Sequence, residues 1–299
     1  MNGPRRIPGR EAITVKGWWP AYRWLILRRF VQLGILVLFL LGPLAGLWIV
    51  QGNINASMVF GLVPLHDPLV LVQSFLAGHV PEVTAITGAL IIIAIYLLVG
   101  GRAYCAWVCP VNIVTDTAYW LKRRLRLKGS ARLSATTRYW LLGTALVVSA
   151  VTGVIAWELV NPVSLTYRGL VFGMGAAGLV VLAIFLFDLL VSERGWCGAL
   201  CPVGAFYSIL GRFSIARVSA VNRAQCNDCT DCLKVCPEPH VLKLPVYGAD
   251  TGASPIVLSP NCTNCGRCID VCTEDVFRFT TRFEKTHNPI PTLAEETPS

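Results

Sequence analysis

The twelve cysteines of this 299-residue chain fall into two spacing families with none left over. Eight lie near the C-terminus. Cys226, Cys229, Cys232 and Cys236 form C-x2-C-x2-C-x3-C, followed by Pro237. Cys262, Cys265, Cys268 and Cys272 repeat the run, with Thr273 in place of the proline. The other four form C-x3-C-P twice, Cys105 and Cys109 before Pro110, Cys197 and Cys201 before Pro202. The first spacing is the ligand pattern of a two-cluster [4Fe–4S] ferredoxin, in which the fourth cysteine of each run binds the other cluster. It predicts one cluster on Cys226, Cys229, Cys232 and Cys272, and a second on Cys262, Cys265, Cys268 and Cys236. A tight loop with two-residue gaps can supply three corners of a cubane, and a distant cysteine closes the fourth. A disulfide framework is the alternative for an even cysteine count. It carries no such period, and the segment is assigned below to the reducing cytoplasm. Zinc knuckles use C-x2-C pairs, but not a doubled four-cysteine run.

The rest of the chain is apolar. It is 54% hydrophobic and only 14% charged, with a mean hydropathy of +0.58. Those values belong to a membrane protein rather than a soluble globule. A spanning helix needs about 20 mostly apolar residues, and four segments qualify: 30–50, 83–101, 139–157 and 169–191. The last carries one charge, Asp188. The net charge of +9 suggests nucleic acid only in a soluble chain. Here the basic residues flank the apolar segments, and no nucleic-acid-binding motif is present.

Lysines and arginines orient the spans. They crowd the arm (Arg5, Arg6, Arg10, Lys16, Arg23, Arg28, Arg29) and the segment 102–138 (Arg102, Lys122, Arg123, Arg124, Arg126, Lys128, Arg132, Arg138), and are absent from 51–82. The positive-inside rule then puts both termini, the 102–138 loop and the ferredoxin segment in the cytoplasm. No small-residue cleavage site follows Arg5 and Arg6 promptly, which predicts an uncleaved arm. The expected fold is membrane α-helical: four transmembrane helices as two hairpins, plus a C-terminal α+β two-[4Fe–4S] ferredoxin-like module. The expected organisation is a cytoplasmic arm (1–29), a four-helix membrane domain (30–213), a ferredoxin domain (214–283) and a flexible tail (284–299). The localisation is a bacterial inner membrane.

The C-x3-C-P runs sit in an internal repeat. Arg102-Ala-Tyr-Cys-Ala-Trp-Val-Cys-Pro-Val111 aligns without gaps with Arg194-Gly-Trp-Cys-Gly-Ala-Leu-Cys-Pro-Val203. Symmetric halves often build a site at their interface. Cysteines four apart share a helical face, and each proline suits the start of a new helix. Thiolates near a helix N-terminus and beside Arg102 or Arg194 are expected to have lowered pKa values. Cys105, Cys109, Cys197 and Cys201 are therefore candidates for a further redox centre, with buried structural cysteines the competing reading.

The chain resembles the NapH family of membrane ferredoxin-type subunits of periplasmic nitrate reductase systems. The resemblance rests on Gly17-Trp18-Trp19, on Val63-Pro64-Leu65-His66-Asp67-Pro68-Leu69 and on Gly78-His79. It continues through Trp157-Glu158-Leu159-Val160-Asn161-Pro162-Val163-Ser164, both C-x3-C-P runs and Cys236-Pro237-Glu238-Pro239-His240. It implies an electron-transfer component of a quinol dehydrogenase. Such a protein oxidises quinol and passes electrons through a NapG-like ferredoxin, with a NapC-like cytochrome as a further partner. NosR-like and CcoG-like proteins share a four-span core with these repeats, which leaves a redox-linked metal reductase, assembly or sensing role as the alternative.

No spacing marks a quinol pocket. Quinol oxidation releases protons and needs acceptors at the membrane edge. The segments opposite the basic loops offer His66, Asp67, His79, Glu82 and Glu158, of which His79, Asp67 and Glu158 are the better candidates. The apolar segment 68–80 is expected in the interface. Trp18, Trp19, Trp24, Tyr139, Trp140 and Trp157 read as interfacial aromatics, and Asp188 as a functional or snorkelling intramembrane acid.

Overall fold

A computed structural model describes residues 8–127, 129–131 and 133–284. Arg5, Arg6, Lys128, Arg132 and all of the expected flexible tail beyond Glu284 lie outside the described residues.

A short helix α1 (Arg10–Lys16) leads into α2 (Trp18–Ala45), the one described helix long and apolar enough to cross a membrane by length and composition. The helix thus begins well before residue 30 and stops before residue 50. Arginine is a good helix former, so Arg23, Arg28 and Arg29 extend the helix instead of ending it. Gly46, left-handed at φ 72°, terminates it.

The segment expected as a loop holds a three-stranded antiparallel sheet, β1 (Val50–Gly52), β2 (Ala56–Val59) and β3 (Val63–His66). Helix α3 (Pro68–Leu76) follows, then α4 (Val83–Val99). The expected interfacial segment is therefore an ordered helix, with Leu69 and Gln73 buried. The first C-x3-C-P run places Cys105 in α5 (Ala103–Trp107), and Cys109 and Pro110 in the turn before α6 (Val111–Arg124).

Helix α7 (Thr137–Thr152) and the short α8 (Ala156–Val160) connect to a second copy of this arrangement. It comprises α9 (Pro162–Phe172), α10 (Gly175–Leu186, extended by a π-helical turn over Phe187–Val191), a π-helical turn Trp196–Leu200, and α11 (Pro202–Gly211). The expected single helix over 169–191 is broken because Gly173 sits at φ 102°. The repeat reaches further than the cysteines. Asp67 caps α3 by accepting from the Leu69 amide (2.8 Å), and Asn161 caps α9 by accepting from Val163 (3.1 Å), each with proline in the first turn.

The C-terminal module is closed by its first and last strands, β4 (Ala216–Ser219) and β5 (Arg278–Thr281), paired antiparallel with Ala216 opposite Thr281. Between them lie α12 (Asp231–Val235), α13 (His240–Tyr247) and α14 (Arg267–Val271). Val218, Val241, Leu242, Val257, Ile269 and Phe277 form its core together with Cys232 and Cys268.

This module is bolted to the helices. The Asp270 carboxylate accepts from the Trp24 (3.2 Å) and Leu25 (3.0 Å) amides of α2, and Lys16 pairs with Asp275. Trp24 stacks edge-on against Phe279 and Trp107 and lies against Gly266. A Cβ at Gly266 would meet the Trp24 ring at 2.6 Å, and its φ of 73° also favours glycine. Trp24 and Trp157 (8% exposed) are thus packed residues rather than interfacial aromatics, whereas Trp18, Trp19 and Trp140 are exposed.

Candidate electron-transfer site

The two four-cysteine runs build matching loops. Asp228 and Thr230 in the first, and Asn264 and Gly266 in the second, all take left-handed backbone at equivalent places. Burial, followed by the thiolates of Cys272, Cys229 and Cys226, pushes Cys232 up to about 12. Cys272 therefore lies with the first run. Cys236, Cys262, Cys265 and Cys268 line one cavity. Burial pushes the Cys265 thiol up, but Arg267 and Arg28, with hydrogen bonds from the Thr263 side chain and the Arg267 amide, bring it below its ordinary value.

The four inner cysteines also meet. Cys105, Cys109, Cys197 and Cys201 line a single cavity between the two repeats, with Tyr104, Trp196 and Trp157 among its walls. Cys105 lies in α5 and Cys197 in a π-helical turn, so the second pair does not follow regular α geometry. The expected lowering of their pKa values is wrong. Burial dominates and pushes all four up, Cys201 to about 12. Arg102 lies against Cys105 and opposes this rise without overcoming it, and both arginines also have other partners. Arg102 donates to Glu238 (2.6 Å) and to the carbonyls of Asn261 and Cys197, both at 3.0 Å. Arg194 donates to the Val235 carbonyl (2.9 Å), and its guanidinium lies 4.0 Å from the Tyr119 ring centre.

Between the two cysteine groups lies a third cavity, bordered by Cys105 and Cys197 on one side and Cys265 on the other. Its charged walls are ordered around two buried carboxylates. Glu238 accepts from Arg102 and from Arg138 (2.9 Å), and Asp116 is ion-paired with Arg29, Arg194 and Arg267. Burial opposes the Asp116 charge, but Arg267 and Arg194 hold its carboxyl well below the usual range.

The sequence is similar over most of its length to the ferredoxin-type protein NapH of Escherichia coli K12, at 52% identity across 95% of this chain and 98% of that protein. The chain belongs to the NapH family of ferredoxin-type proteins. It is also 51% identical to the methylamine utilization ferredoxin-type protein MauN of Methylorubrum extorquens, across 91% of this chain and 94% of that one. A putative electron transport protein, YccM of Escherichia coli K12, is 26% identical across 71% of this chain and 60% of its own. No solved structure matches. The model of a 4Fe-4S binding domain matches residues 82–128 and 174–218. Those segments are the two structural repeats with their C-x3-C-P runs, not the C-terminal eight cysteines. In this NapH-family chain, iron–sulfur electron transport is thus indicated by the inner repeat as well as by the ferredoxin spacing.

The candidate quinol residues separate into two groups. Asp67 and Glu158 lie in one polar cluster, in which Asp67 is buried and Glu158 is partly exposed. The Asn55 carbonyl accepts from the Asp67 amide (2.7 Å), and the Asn55 side chain donates to Glu158 (2.7 Å) and Ser164 (2.6 Å). Asn161 donates to Glu158 as well (3.1 Å). His79 and Glu82 are exposed and outside this cluster, and His66 is half-buried. Asp188 does not snorkel. It is fully buried and accepts from the Trp196 amide (3.0 Å), tethering the second inner cysteine turn.

Sequence reasoning missed Arg28, Asp116, Arg138, Glu238 and Arg267 as site residues. The arginines beside the spans register there only as orienting charge. The available signal was their proximity in sequence to cysteine motifs, which is weak.

Proposed function

We propose that the chain is a membrane iron–sulfur electron-transfer subunit that oxidises quinol and passes electrons through a NapG-like ferredoxin toward a periplasmic nitrate reductase. The observation that carries this reading is that three cavities run in series and share their cysteines. The inner four open toward Cys265, and Cys265 borders the cavity of Cys236, Cys262 and Cys268. The donor chemistry suits cubanes: each proposed set is four cysteine thiols, with Arg102 near the inner set and Arg28 and Arg267 near Cys265. When bound, the clusters supply one-electron carriers. The protein's own work is to hold them close together, exclude water and compensate their charge. Cys226 and Cys229 lie on the less buried loop, flanked by exposed Asn227 and Asp228, which suits the first cluster to exchange with a partner. Asp67 and Glu158 are our proposed proton acceptors for quinol.

Crossed ligation is tested by replacing Cys272 with serine. The expected result is damage to the cluster of Cys226, Cys229 and Cys232, read as loss of one of two paramagnetic signals and of the matching iron and acid-labile sulfide. Damage confined to the Cys262 cluster would refute the crossing.

The reading places four spans in the membrane, α2, α4, α7 and α10, with the ferredoxin module in the cytoplasm. Helices of 16 and 17 residues span about 24–26 Å at 1.5 Å per residue, close to the roughly 30 Å hydrocarbon layer. A reporter fused after Phe283 should show cytoplasmic activity; alkaline phosphatase activity there would overturn the orientation.

A further inference from the structure

We propose that Arg28 is the counter-cation of the cluster carried by Cys236, Cys262, Cys265 and Cys268, and that it holds that cluster's potential above the value it would otherwise have. This rests on the reading that those cysteines ligate a cluster. Arg28 is fully buried, and none of its three guanidinium nitrogens has a hydrogen-bond partner. It lines the cavity that Cys265 and Arg267 border. An isolated buried cation is expensive, and folded proteins keep one only where something anionic compensates it. The carboxylates on this cavity are already engaged. Asp116 serves Arg29, Arg194 and Arg267, and Glu238 serves Arg102 and Arg138. Of the three thiols on this cavity, Cys105, Cys197 and Cys265, it is Cys265 that acts on Arg28, and more strongly than Asp116 does.

Reduction adds one electron to the cluster and breaks no bond, so the negative charge beside Arg28 grows. A fixed cation stabilises the reduced state more than the oxidised one and raises the potential. Arg28 sits in α2, the membrane helix, whereas the cysteines sit in the C-terminal module. The helix would thereby set the potential of the cluster nearest the inner cysteines.

The test is a potentiometric titration of anaerobically purified full-length protein, with dithionite as electron donor and paramagnetic resonance as readout. Wild type, Arg28→Met and Arg28→Lys are compared. Arg28→Met removes no hydrogen bond within the protein. It should shift one midpoint downward by a factor of about ten in the reduction equilibrium, or about 59 mV for one electron, and leave the other midpoint in place. Arg28→Lys keeps the charge and should retain most of the wild-type value. Unchanged midpoints in Arg28→Met, or equal shifts of both clusters, would overturn the proposal. If Arg28→Met loses the cluster, retention of iron and midpoint in Arg28→Lys supports a charge role, and loss in both variants overturns it. Absence of any cubane signal in the wild type defeats the cluster reading itself, a result distinct from an unshifted midpoint.

Discussion

Replacing Glu238 with alanine is expected to prevent assembly of the ferredoxin module on the helices of the two repeats. Glu238 lies two residues past Cys236 and is 6% exposed. Its Oε1 accepts from Arg102 at 2.6 Å and from Arg138 at 2.9 Å, both at most 1% exposed. Arg102 follows α4 and also holds the Cys197 carbonyl; Arg138 opens α7 and also holds the Gly198 carbonyl (3.1 Å). One carboxylate thus joins the first repeat, the second repeat and the cluster loop. Removing it leaves two buried guanidiniums without their anion. Breaking a buried pair in this way costs about 3–5 kcal/mol, a large part of a typical stability of about 5–15 kcal/mol. The expected outcome is low accumulation, loss of both cluster signals and proteolytic cleavage near Phe213, measured on solubilised membranes. Glu238→Gln keeps the shape without the charge and should fall between alanine and wild type. Wild-type thermal stability and iron content in Glu238→Ala would show that the two arginines are compensated by other groups.

The two cysteine families were legible because their spacings recur in the sequence, and the structure places Cys272 beside the first run and Cys236 beside the second. The inner repeat was legible for a related reason: Arg, aromatic, two cysteines and Pro-Val recur in register. Helix ends were less so. The segment 30–50 is the apolar part of α2, but Trp18–Arg29 is helical too, held by Asp270, which accepts from the Trp24 and Leu25 amides, and by Asp116, which pairs with Arg29. The sheet β1–β3 left little trace, since only Val50 and Asn55 among its residues and turns are buried and no apolar alternation marks it. The thiol pKa values were misjudged for a tertiary reason. Arg102 and Arg194 adjoin the cysteines in sequence and Arg102 does act on Cys105, but burial of all four thiols outweighs it, and both guanidiniums also pair with Glu238 and Asp116 from other parts of the chain. The same long-range pairing explains why Asp116 and Arg267, 151 residues apart, could not be recognised as partners from the sequence.

The inner cysteines carry the second large prediction. Protonated thiols conduct no electrons, and burial would keep free thiols protonated at these sites. If Cys105, Cys109, Cys197 and Cys201 are packing residues, serine is a tolerable exchange in volume, at a modest cost in stability. If they hold a redox centre, one serine should break the path between quinol and the ferredoxin module while leaving the eight C-terminal ligands intact. The decisive measurement is anaerobic reduction of the C-terminal clusters by a quinol analogue, followed by paramagnetic resonance in wild type, Cys105→Ser and Cys197→Ser, with dithionite reduction as the control for cluster content. The account predicts full dithionite-reducible signal in all three, with quinol-driven reduction in wild type and at least a hundredfold slower reduction in both variants. Wild-type quinol-driven reduction with unchanged iron in both variants would contradict it.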